Sequence, residues 1–147
     1  MFVDPKNSQS EAREWISAAS VQTMRLTDLP DASRVAANTQ SVGLIIVDLD
    51  GCGGIAVAAS DLITFRLEHH EIPLILISSE SACDEFGSER LAIADVTLRF
   101  PLSISRFDLA LAKVEMNNLE WQHRVKCQLT TSLLKDVLEA GQRRKIY

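Results

Sequence analysis

The sequence predicts a doubly wound parallel α/β domain. Three observations carry that expectation: apolar runs of strand length, amphipathic segments between them, and a polar or turn-forming residue closing each run. The runs are Val42-Gly-Leu-Ile-Ile-Val47, closed by Asp48, Ile72-Pro-Leu-Ile-Leu-Ile77, closed by Ser78, and Asp95-Val-Thr-Leu-Arg-Phe-Pro101. Near-continuous Val, Ile and Leu suit strands covered on both faces, which is the condition of parallel strands in α/β sheets.

The remaining elements follow in chain order. Phe2-Val3 begins a first strand, with only about three residues before Asp4. Ser8-Gln-Ser-Glu11 reads as a capping box for a helix that repeats Ala12, Trp15, Ile16 and Ala19 at helical spacing. Residues 21–26 are less apolar, as an edge strand would be. Pro30 suits the first turn of a short helix reaching about Ala37. Ile55, Ala58, Ala59, Leu62 and Phe65 mark a helix over 54–68, and 81–92 reads as a weaker one broken by Gly87. Ser103 or Ser105 caps a strong helix bearing Phe107, Leu111 and Val114. Five alternations of strand and helix, joined by right-handed crossovers, predict a flavodoxin-like five-stranded sheet of order 2-1-3-4-5.

Residues 1–122 form the expected domain and 123–147 a helical extension. In the extension Leu129, Leu133, Leu134, Val137 and Leu138 make an apolar stripe, with Gly141 as a C-cap. The stripe either folds back onto the sheet or pairs with a second chain. No proline interrupts 102–147, so one long helix is permitted.

A chain of 147 residues is near the usual size of one domain. A net charge of −5 leaves no electrostatic footprint for nucleic acid; the basic cluster Arg143-Arg-Lys145 is too short to change that. No apolar run approaches the ~20 residues of a membrane span, and no charged segment precedes an apolar leader. Cys52, Cys83 and Cys127 lack metal or disulfide spacing, so the expected compartment is the reducing cytoplasm.

Parallel sheets collect reactive groups at the carboxyl ends of their strands. Asp48, Ser78 and Phe100-Pro101 are therefore expected on one rim. With Asp4 after the first strand and Ala94-Asp95 before the last, this ordered set resembles the receiver domain of two-component response regulators over roughly residues 1–122. The resemblance implies a phospho-accepting aspartate at Asp48, a hydroxyl at Ser78 and one acid of a metal-binding pair at Asp4. Pro5 replaces the second acid, Phe100 replaces the lysine before Pro101, and Thr97 stands where an aromatic switch residue is usual. The loop 49–54 also lacks the family's Met-Pro.

Phosphoryl transfer depends on charge stabilisation by a divalent cation and a fixed positive group. No lysine lies between Lys6 and Lys113, and Arg99 alternates to the opposite face from Phe100. The expected protein is thus a degenerate receiver, a pseudo-receiver that is not an enzyme and has no resident cofactor. Mg2+ at Asp4 and Asp48 is required only if the acceptor chemistry survives. Phe100 is expected to fill the space beside Asp48 and Ser78.

Function is then expected through protein contact in signal transduction or transcription control, with a homodimer or a separate output or signalling protein as partner. The resemblance implies docking through 81–92, 95–100 and 103–122. The apolar residues Leu111, Val114, Trp121, Val125, Leu129, Leu133 and Leu138 extend that surface, with Trp121 as anchor. One alternative is a receiver weakly phosphorylated at Asp48. Another rests on Asp48-Leu-Asp-Gly51, which resembles the first motif of haloacid dehalogenase-type phosphohydrolases and implies Asp48 as nucleophile and Asp50 as acid/base; Cys52 replaces that motif's threonine. His69-His70 reads as a helix C-terminal turn favoured by the dipole. Cys52 reads as unreactive beside carboxylates.

Overall fold

The computed structural model describes residues 2–3, 16, 25–26, 28–40 and 42–144. Its centre is a parallel sheet of three strands, β3 (Ile45–Asp48), β4 (Leu74–Ser78) and β5 (Val96–Arg99). Ile45 pairs with Leu74 and Asp48 with Ile77; Ile75 pairs with Val96 and Ser78 with Arg99. Two two-residue segments lie on the other side of β3: β1 (Phe2–Val3) runs parallel to it, and β2 (Arg25–Leu26) runs parallel to β1.

Every residue of β3 and β4 is buried, as their unbroken apolar sequence requires. Alternation divides them between two cores. Ile45, Val47, Leu74 and Leu76 meet α1 (Leu29–Asn38) and α2 (Ile55–Glu68) through Leu29, Ala32, Ala58, Leu62 and Phe65. Ile46, Ile75, Ile77, Val96 and Leu98 meet Phe107, Ala110 and Val114 of α3 (Ile104–Arg144), together with Ile16. Each Val, Ile, Leu or Phe among these contributes about 1.5–3 kcal/mol on full burial.

Asp28 caps α1, its carboxylate accepting from the Asp31 N–H at 2.7 Å, and Pro30 sits in the first turn. Of the helix expected near the N-terminus only Ile16 is described; it is helical and buried. Asp4, Pro5, the capping box, Trp15 and most of 21–26 lie outside the described residues.

One expectation is corrected. Residues 81–92 do not form a helix: they run as bends and turns. Glu85 makes an antiparallel bridge to Thr97, N–H to carbonyl in both directions at 2.7 and 3.0 Å. Pairing with the edge of β5 satisfies backbone groups that a short, Gly-interrupted helix would satisfy less well.

The long helix that the proline-free sequence after residue 101 permits does form. α3 runs unbroken for 41 residues, about 60 Å. Ser103 Oγ accepts from the Arg106 N–H at 3.4 Å at its start. Residue 122 falls inside α3, and Val125 beyond it is still buried. Past Val125 each residue from 126 to 140 is exposed.

Candidate functional site

The rim at the carboxyl ends of β3 and β4 does bring Asp48 and Ser78 onto neighbouring strands, but it does not pair them. Asp48 is buried, and its Oδ1 accepts from the N–H groups of Asp50 and Gly51 at 3.2 and 3.4 Å. The carboxylate closes its own turn. Asp50 is the acid that reaches across: it accepts from the Ser79 N–H at 2.9 Å and from Ser78 Oγ at 3.3 Å. Ser78 Oγ in turn accepts from the Glu80 N–H at 3.1 Å.

The loop geometry explains this exchange of roles. Gly53 and Gly54 have φ of 84° and 83°, and the Gly54 N–H returns to the Leu49 carbonyl at 2.8 Å. Only glycine enters that left-handed region at little cost. The resulting tight loop turns Asp50 toward the β4 end and starts α2 at Ile55.

Phe100 does not occupy the space beside Ser78. By alternation it shares the face of Val96 and Leu98, and it packs half-buried against the cluster containing Phe107. Its N–H donates to the Ser78 carbonyl at 3.0 Å, and the Phe100–Pro101 peptide is cis, with Pro101 exposed. The space beside Ser78 is instead an open recess of about 270 Å³, bordered by Leu49, Leu76, Glu80, Glu85, Arg90 and Thr97. The irregular segment from Glu80 to Arg90 forms one of its sides. Thr97 is buried and committed to the Glu85 bridge. Arg99 points to the exterior and donates to the Ala82 carbonyl at 3.0 Å.

The docking residues also divide. Val114, Trp121 and Val125 belong to the chain's own core, and Leu91 packs with the last two. Trp121 as an intermolecular anchor is therefore corrected: its Nε1 donates to the Arg66 carbonyl at 3.1 Å and its ring lies 5.2 Å from the Arg66 guanidinium. Leu111 lies on the exposed side of α3, as do Leu129, Leu133 and Leu138.

The sequence reading missed a buried polar network behind the sheet. Arg66 and Asp95 are both fully buried and pair through two bonds of 2.6 and 2.9 Å. Arg66 also donates to the Leu91 carbonyl, while Asp95 accepts from the Leu74 N–H at 2.8 Å and from Asn118 Nδ2 at 3.3 Å. Asn117 Nδ2 donates to the Asp95 and Phe86 carbonyls. Burial draws the guanidinium down and pushes the carboxyl up from their ordinary values, and the pairing opposes both shifts. One signal was present in the sequence: Arg66 follows Ala58 and Leu62 at four-residue spacing, a charge inside an apolar stripe.

At the start of α3, Arg106 grips Asp84 and holds its carboxyl below the usual range, against a smaller opposing effect of burial. His69 caps α2, and its Nε2 lies 2.9 Å from Ser33 Oγ. None of Cys52, Cys83 and Cys127 is in a disulfide. Among the described residues, no group of three His, Cys, Asp or Glu side chains is placed to hold a metal ion, and no helix is long and apolar enough to cross a membrane.

Fold and site together define a mixed α/β protein with a three-stranded parallel core, an acid-lined rim and a helix that outruns its domain. No family model matches the chain, and no curated protein or solved structure is significantly similar to it.

Proposed function

We propose that this chain is a degenerate receiver-like module, with a flavodoxin-like sheet of order 2-1-3-4-5, that works by holding a protein partner rather than by phosphoryl transfer. The observation that carries this reading is α3: beyond Val125 it presents Leu129, Leu133, Leu134, Val137 and Leu138 to solvent. Exposed apolar patches of this kind mark association surfaces. The partner is a second copy of the chain, in a signalling or transcription-control role in the cytoplasm.

The loss of acceptor chemistry is supported by two features of the rim. Asp48 spends its carboxylate on its own turn, and the place of the activating lysine is taken by Phe100, packed toward α3. A phosphoryl group on Asp48 would have to break the turn and would meet Asp50 and Glu80 nearby.

Acetyl phosphate with Mg2+, read by intact mass, tests the reading. The expected result is no phosphoryl adduct. Stoichiometric labelling lost in Asp48→Asn would overturn it in favour of an active receiver. Turnover of an aryl phosphate that depends on Asp48 and Asp50 would overturn it in favour of a phosphohydrolase.

A further inference from the structure

The exposed side of α3 carries more than scattered leucines. Leu109, Ala112, Met116 and Leu119 follow one another at spacings of three, four and three residues, and all are exposed. The same three–four alternation continues without a slip through His123, Lys126 and Thr130 to Leu133, Val137 and Ala140, again all exposed. This is a heptad repeat in which Leu109, Met116, His123, Thr130 and Val137 occupy a, and Ala112, Leu119, Lys126, Leu133 and Ala140 occupy d. It is separate from the seam that binds the sheet: Met116 lies two residues from buried Val114, about 200° around the helix. One face of α3 is filled by its own domain, and the opposite face repeats at the period of a helix partner.

From this register we infer that α3 pairs with α3 of a second copy as a parallel two-stranded coiled coil running from Leu109 to Ala140. The inference rests on the proposed reading of the chain as an association module, and it names the partner geometry. Orientation follows from the flanking positions. A parallel pair sets Leu129 against Leu134 of the other helix, and Asp108 against Lys113, each contact occurring twice by symmetry. Among the flanking pairs Glu115 against Glu120 is unfavourable, and in the core the Lys126 layer sets like charges face to face. The antiparallel pairing that aligns the same core layers sets Leu134 against Lys113, Leu129 against Gln122 and Glu115 against Asp136, which wastes both leucines and keeps a repulsion.

The extent is adequate for a stable pair. The stripe spans about 48 Å and is roughly 10 Å wide, so two copies bury about 1,000 Å², the lower bound of a specific interface. The polar layers His123, Lys126 and Thr130 lie between two apolar blocks and set the register, because a shift by one heptad would bring Lys126 against Leu119 and Leu133. The 3.5-residue period winds the pair left-handed.

The decisive comparison is sedimentation of the whole chain and of L133D/V137D at about 10 µM. Both substituted residues lie in the half of α3 where each residue is exposed among the described residues, so the packed core of the domain is left intact. The expected result is a dimer of the 16.3 kDa chain that weakens on the order of 100-fold in the variant. T130C under mild oxidation should cross-link through its introduced thiols, mapped by peptide mass, while the parent chain does not, since Cys127 occupies an e position on opposite sides of a parallel pair. A wild-type monomer, a trimer, a dimer indifferent to L133D/V137D, or an uncross-linked T130C would each overturn the inference. None of these depends on acetyl phosphate labelling, which judges the proposed function separately.

Discussion

α3 is two helices in one. From Ile104 to Val125 it buries Phe107, Ala110, Val114, Asn118, Trp121 and Val125 against the domain; from Lys126 to Ala140 every residue is exposed. The two halves have similar apolar content on their outer faces, and only the first has a second, filled face. A stretch of ~15 residues without packing is marginal as an isolated helix in water. The first half is specified by the domain, and the second half has no such packing among the described residues, which is where the proposed pairing would act.

The contrast is sharpened by breaking the anchored half, and the largest effect belongs to the buried pair. Arg66→Met leaves the Asp95 carboxylate without its cation in a dry site that also receives Asn118 and the Leu74 amide. The expected loss is about 3–5 kcal/mol in urea unfolding, and Arg66→Met with Asp95→Leu should recover most of it. A single variant as stable as the parent would show that the pair does not hold α3 to the sheet.

Trp121→Ala comes next. Its indole fills the space beside Leu91 and Val125 and its N–H is bonded to the Arg66 carbonyl. About 3 kcal/mol of stability should go, with dimerisation through the outer stripe retained. Loss of the dimer at unchanged monomer stability would restore Trp121 as an interface residue.

The smallest effect is at the helix start and depends on pH. Arg106 depresses the Asp84 carboxyl relative to the unfolded chain, so the contribution of this pair is complete above the ordinary carboxylate value and is lost as pH falls through the lower, folded one. The protection of the amides across 82–86 relative to the unfolded chain should therefore be constant from neutrality to about pH 4 and fall below it. Asp84→Asn should remove that acid-side change.

The parallel core was legible because burial on both faces writes itself into the sequence: each residue of β3 and β4 had to be apolar up to the closing Asp48 and Ser78. The helices α1 and α2 were legible from Pro30 and from the spacing of Ala58, Leu62 and Phe65. What escaped was non-local. The Arg66–Asp95 pair joins residues 29 apart, and the Glu85–Thr97 bridge replaces a helix by a backbone contact that periodicity does not record. At the rim, residue types pointed to Asp48 and Ser78, which do lie on neighbouring strand ends, but in the loop with its two left-handed glycines it is Asp50 that reaches Ser78. Trp121 was assigned outward because an apolar stripe declares burial without naming what covers it.

The Glu85 bridge has one more effect. A parallel sheet ends in a strand whose outward amides and carbonyls can recruit a foreign strand. Here the Thr97 N–H and carbonyl are both taken by Glu85, and the Arg99 N–H is taken by the Asp84 carboxylate at 2.8 Å. The border of β5 is thereby closed to backbone zippering, so the pairing proposed for α3 would be read by side chains, where sequence can choose the partner, and not by an indiscriminate main-chain template.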